Sequence, residues 1–231
     1  MRKVALCLVE SWGFTLGFDE KVRLRSEEEL DLQFEGLIRV ADILSRHLES
    51  WFLSSGTLLG AVRQGDFIPW DWDVCIDVLT EEAQPKFDQI CHHLQAEGFV
   101  IDKLDTTMKN LKVVASGYGT DYEILGRYLR RGKFRARLMT ELPAKLYENS
   151  ELVKIRGHEF PAPSPAEDLL EALYGDWRTP KRTADKAEYL SPKAYVNRKR
   201  KRPKKSGRTP IQRAVNLLLG FSSRGENRHR K

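Results

Sequence analysis

The chain has 231 residues, 41% hydrophobic and 31% charged, which is the composition of a globular protein and not of a disordered one. No apolar run approaches the ~20 residues that a transmembrane helix needs. The net charge of +6 hides a division: residues 193–231 hold 14 Lys or Arg against the single acid Glu226, so they carry +13 and residues 1–192 carry −7.

In chain order, Arg2 and Lys3 ahead of Val4-Ala5-Leu6-Cys7-Leu8-Val9 have the look of a secretion signal. Glu10 breaks the run and no small-residue cleavage site follows, so the segment reads as a short buried strand. Ser26-Glu27-Glu28-Glu29 has capping-box spacing, and Leu30, Phe34, Leu37, Ile38, Ala41, Leu44 and Leu48 recur behind it at helical intervals to about Glu49. Trp51-Phe52-Leu53 reads as a buried strand. Ser54-Ser55-Gly56-Thr57 then turns into a short helix over residues 58–63, which Gly65 ends and Pro69 keeps from resuming.

From residue 71 to 78, Asp71, Asp73, Cys75 and Asp77 alternate with Trp72, Val74, Ile76 and Val78, the period of a strand. A helix capped by Thr80 runs to about Glu97, with its regular part starting at Pro85 and Gly98 closing it. Strands are predicted over residues 99–101, 111–115, 122–125 and 152–155, the last pairing with 158–161 across Arg156-Gly157. Ser164-Pro165-Ala166-Glu167 starts another helix, with Pro165 at its first position, burying Leu169, Leu170 and Leu173 and ending at Tyr174-Gly175. Helices mixed with strands make an α+β (mixed α/β) domain over residues 1–192. Cys7, Cys75 and Cys91 have no metal-ligand spacing and cannot all pair, which favours a reducing, cytoplasmic setting.

Alternation puts Asp71 and Asp73 on one strand face roughly 7 Å apart, at ~3.3 Å per residue, with Asp77 further along. Two carboxylates so close repel unless a cation sits between them, and oxygen ligands suit a hard ion, Mg²⁺ or Mn²⁺. An isolated Asp-x-Asp is more often a solvated face. Here Ser55-Gly56-Thr57 lies upstream, a small-residue turn opening a helix, where free backbone N–H groups can cradle a phosphate.

A Gly-Ser/Thr turn, about a dozen residues, then Asp-hydrophobic-Asp-hydrophobic resembles the signature of polymerase β-like nucleotidyltransferases. The longer run Ser55-Gly56-Thr57-Leu58-Leu59-Gly60-Ala61-Val62-Arg63, then Gly65-Asp66-Phe67-Ile68-Pro69-Trp70-Asp71-Trp72-Asp73-Val74, resembles the core motif of the LicD family, which also contains fukutin-related protein. Phe160-Pro161 and the segment from Leu169 through Tyr174-Gly175-Asp176-Trp177 resemble that family's carboxy-terminal helix.

The resemblance implies a nucleotidyltransferase-like core, a mixed sheet flanked by helices. It also implies a phosphotransferase that moves a phospho-alcohol, such as phosphocholine or phosphoribitol, from a CDP-alcohol donor to a glycan or glycolipid hydroxyl and releases CMP. Asp71 and Asp73 would hold the metal, and Gly56 and Thr57 the donor phosphate. Asp121, in Gly119-Thr120-Asp121-Tyr122-Glu123, would be the third carboxylate, as a metal ligand or as acceptor of the hydroxyl proton, with Glu123 its nearest competitor. Arg63 and Lys112 are candidates for donor phosphate. The chain departs from the family where a third Asp is usual and Cys75 stands: a thiol is a poor ligand for a hard cation. Degeneration to a nucleotide- or glycan-binding protein is the alternative. Trp72 alternates away from the carboxylates and reads as core, and His92-His93 as surface.

Arg198-Lys199-Arg200-Lys201-Arg202-Pro203-Lys204-Lys205 is too charged to bury, and a short helix near residues 210–219 follows. Three readings stand: a contact with anionic membrane, peripheral at the inner face; docking on the body; or nucleic acid, which the acidic body argues against.

Overall fold

The computed structural model describes residues 23–138, 140–183, 190 and 191. The amino-terminal strand and the basic tail with its helix lie outside the described residues.

The first helix, α1 (Glu27–His47), starts where its capping box demands. The Ser26 hydroxyl accepts from the Glu29 N–H, and the Glu29 carboxylate accepts from the Ser26 N–H. Three acids in the first turn and Arg46 and His47 in the last match the helix dipole. Next come β1 (Trp51–Leu53), α2 (Ser55–Gln64) and β2 (Asp73–Leu79). Helix α2 begins three residues earlier than its apolar period indicates, so Gly56 and Thr57 are inside its first turn. Gly65 ends it at φ 69°. The long helix expected after residue 80 is broken: α3 (Thr80–Ala83), a 3-10 turn at Gln84–Lys86, then α4 (Phe87–Ala96). Pro85 sits in the turn, because it lacks the N–H that a continuous helix would use. Thr80 does not cap; Leu79 holds that position without a side-chain bond.

Strands β3 (Val100–Asp105), β4 (Lys112–Gly117) and β5 (Thr120–Arg130) follow. Two more, β6 (Phe134–Arg137) and β7 (Thr140–Pro143), are absent from the sequence reading. Each is four residues long, so the alternation of Phe134 and Ala136 with Arg135 and Arg137 is too brief to stand out. The hairpin β8 (Ser150–Ile155) with β9 (His158–Pro163) forms as read, across Arg156 and Gly157, both at positive φ as a two-residue hairpin turn requires. Helix α5 (Ala166–Tyr174) starts one residue later than expected, with Pro165 as its N-cap, and Glu151 accepts the freed Ala166 N–H.

The main sheet runs β1-β2-β5-β4-β3, with β6 and β7 extending from β5. Its pairs are antiparallel except β2 with β5. Val74, Ile76, Val78, Tyr122 and Ile124 are fully buried on one face. That face packs beneath α1, with α4 alongside. Tyr122 reaches α1 and donates to the Gln33 carbonyl (2.8 Å), where Gly36 leaves room for its ring. The architecture is a mixed α+β sheet flanked by helices, as the sequence implies. The other face of β2 and β5 carries the polar residues, and there the chemistry lies. No helix among the described residues is long and apolar enough to cross a membrane.

Candidate active site

In the parallel pair, Asp73 stands opposite Asp121, Cys75 opposite Glu123 and Asp77 opposite Leu125. Register and alternation therefore place four acids and one thiol on one face of two adjacent strands. Asp71 lies just before β2, and its carboxyl group is enclosed by protein although the residue as a whole is partly exposed. Burial, then the neighbouring Asp73 charge, then a hydrogen bond with Asp73, push its pKa well above the usual carboxylate range. Arg25, also buried, partly opposes this.

The enclosure of Asp71 is made by α2. A Cβ placed on Gly56 would stand 2.9 Å from the Asp71 Cγ, so the carboxyl group lies against the bare backbone at the helix start. Ser55, at φ 51°, is in the left-handed region that non-glycine residues seldom adopt. Thr57 has another duty than the one expected of it. It is buried, and its hydroxyl accepts from the Cys75 N–H (2.9 Å), tying α2 to β2. Arg63 lies in the last turn of α2, about 12 Å along the helix from Ser55 at 1.5 Å per residue.

Lys112 is brought there, but paired, its Nζ 2.7 Å from the Glu123 carboxylate. Glu123, Asp73 and Cys75 each offer a ligand atom within 4.8 Å of the others. Asp121 turns toward β4: the Ser116 hydroxyl lies 2.5 Å from its Oδ1 and close also to Asp102, and its single proton can serve one of them. Thus the β5 carboxylate that reaches Asp73 in this structure is Glu123, while Asp121 is exposed beside it. Asp77 is withdrawn from any metal role. It is buried, paired with Arg127 and hydrogen-bonded by Tyr147 (2.9 Å). Burial works against the Arg127 charge, but Asp77 more than restores it and its pKa is raised. Burial and the flanking acids push the Cys75 thiol well up.

Several participants escaped the sequence reading. Arg25 donates to Gln33, to the Trp72 carbonyl and to Thr120, so it fixes the loop that carries Asp71. Trp72 is not core: it lies between Arg23 and Arg25, each guanidinium 4.6 Å from its ring. His93 is half-buried against His47, with ring nitrogens 2.7 Å apart. A surface hollow lined by Trp51, Phe52, Tyr147 and Pro161 shares no residue with the carboxylate group.

The donor set fits a divalent cation. Asp73 crowds the Asp71 carboxyl group closely enough to raise its pKa, a repulsion that a cation between the two would relieve.

A carboxylate pair at the start of β2, against a helix start whose backbone is bare, is the arrangement expected of a transferase site of the nucleotidyltransferase type. Residues 49–165, just over half the chain, match the family described as LicD/FKTN/FKRP, nucleotidyltransferase domain, and the chain belongs to it. It is 26% identical over 158 residues to an uncharacterized protein of Rickettsia typhi, covering 68% of this chain and 48% of that one. The chain thus spans about half the length of this curated relative. A solved structure from Thermotoga maritima, provisionally assigned as a nucleotidyltransferase, shares 20% identity over 58% of this chain and 79% of its own, with a TM-score of 0.38.

Proposed function

We propose that the protein transfers a phosphorylated alcohol from a CDP-alcohol donor to a glycan or glycolipid hydroxyl, releasing CMP. The observation that supports this best is the crowded carboxylate pair Asp71 and Asp73, with Asp71 against the bare start of α2, in a chain of this family. A bound Mg²⁺ or Mn²⁺ would neutralise charge on the transferred phosphate; Asp71 and Asp73 would hold it, with Glu123 in reach. The acceptor hydroxyl oxygen bonds to the phosphorus bearing the alcohol, and the bond from that phosphorus to the CMP oxygen breaks. Asp121, exposed and steadied by Ser116, takes the hydroxyl proton.

One observation favours a second reading, a nucleotide-binding protein without turnover: Cys75 occupies the middle of the acidic face. CMP release from a panel of CDP-alcohols with Mg²⁺ and candidate glycans separates the two. Release that depends on acceptor and metal supports transfer. CDP binding without release from any donor sinks the transferase and leaves the second reading.

A further inference from the structure

The acidic face has a basic edge. Strand β5 runs past the site to Arg130, and β6 pairs back on it with Tyr128 opposite Ala136. One residue further along this ladder Arg137 stands beside Arg127, on the same face as Glu123. Arg127 is satisfied by Asp77, and Lys112 by Glu123. Arg137 is not satisfied. Its Nε is buried without a hydrogen-bond partner, and no described carboxylate forms an ion pair with its guanidinium. A partly buried guanidinium normally finds an acceptor, because leaving charged N–H groups dry and unbonded is costly.

The groups around it explain why none is made internally. Burial lowers its pKa, Asp77 and Glu123 draw it, and Arg127 opposes it. Both acids already have cations of their own, so Arg137 is a surplus positive charge on the same face as the surplus negative charge of Asp71 and Asp73, further along the β5 ladder. A ligand that satisfies both must be a polyanion, reached by a cation at one end and by a planar fork of donors at the other.

We infer that Arg137 is a phosphate-binding residue, which grips the diphosphate of the nucleotide donor from the β6 edge of the acidic face. The inference rests on the donor chemistry proposed above and adds a residue and a direction to it: the diphosphate spans from the Asp71–Asp73 pair toward β6, and the nucleoside or the alcohol lies beyond. The competing role is structural, with Arg137 acting only as a second, distant counter-charge for Asp77.

Titration calorimetry of the full chain with CDP, and separately with inorganic pyrophosphate, both with Mg²⁺, tests this. Arg137→Gln is expected to weaken both by about 10- to 100-fold, the range of a lost charge-assisted bond. Arg137→Lys is expected to recover part of the loss, since it restores charge without the fork. The melting temperature of Arg137→Gln should stay level or rise, because a dry, like-charged neighbour of Arg127 is removed. Equal anion affinity in the wild type and Arg137→Gln overturns the inference. So does a wild type that binds neither anion, or a variant that loses stability and keeps its affinity. Anion binding that depends on Arg137, without CMP release from any donor, leaves the inference standing and defeats the proposed reaction instead.

Discussion

Gly56→Ala separates the chemistry of the site from its stability. Gly56 is inside the first turn of α2, where alanine is the better helix former by up to about 1 kcal/mol. On fold stability alone the substitution should be neutral or favourable. The new Cβ, however, would stand 2.9 Å from the Asp71 Cγ, where ordinary contact begins at 3.4 Å, and nearer still to a carboxyl oxygen. What it meets is the end of a side chain, not backbone, so the helix can stay and Asp71 must swing away. A displacement of about 1 Å at a reacting centre costs on the order of 10²-fold in rate. The expected result is a melting temperature within about 2 °C of wild type or above it, at about 2–4 °C per kcal/mol for a domain of this size, with CMP release and Mg²⁺ affinity both lost. Wild-type metal affinity in Gly56→Ala would refute the claim that Asp71 is held against α2 for binding. An unfolded variant would refute the claim that the carboxyl group can move independently.

Four further outcomes follow. Glu123→Gln should weaken Mn²⁺ binding measured by titration, whereas Asp121→Asn should keep it and lose turnover; the reverse pattern would return Asp121 to the metal. Tyr147→Phe should cost about 1–3 kcal/mol in denaturant unfolding, since it takes a bond from a buried carboxylate, and Arg127→Met about 3–5 by leaving Asp77 alone; smaller losses would mean the pair is hydrated. Burial and then His93 hold His47 below its ordinary value of 6.5, so the unfolded chain binds the proton more readily; stability from this pair is present above pH 6.5 and lost below it, and His47→Gln should flatten that part of the unfolding profile relative to wild type. A chain cut after Pro192 should keep turnover on a soluble acceptor and lose binding to anionic vesicles; equal vesicle binding by both forms would reject the membrane contact.

Features set by neighbours in sequence were legible from it. The capping box of α1, the hairpin across Arg156-Gly157 and the Asp-x-Asp strand all rest on residues within a few positions of one another. What escaped depends on partners far along the chain. Arg127 and Asp77 are 50 residues apart, and each alone looks like a surface charge. The same holds for His47 with His93, and for Arg25, which binds Thr120 across 95 residues. Thr57 was identified by its motif, yet its side chain serves a backbone N–H on the next strand, which spacing cannot reveal. Strands β6 and β7 were missed because each is only four residues long with a single buried side chain, Ala136 and Leu142, too little for an alternation to stand out.

The parallel join of β2 to β5 also has a kinetic side. Asp73 and Asp121 are brought opposite each other only after α3, α4, β3 and β4 have been laid between their strands. A hairpin such as β8 with β9 closes early; a ladder between segments this distant closes late, because its loop entropy must be met first. Until then the acids of β2 and those of β5 stay apart in water, and the repulsion between the two strands arises only when the ladder closes. A divalent ion that binds the assembled group should therefore slow unfolding and leave the folding rate nearly unchanged, so the metal would act as a latch on the finished sheet and not as a nucleus for it.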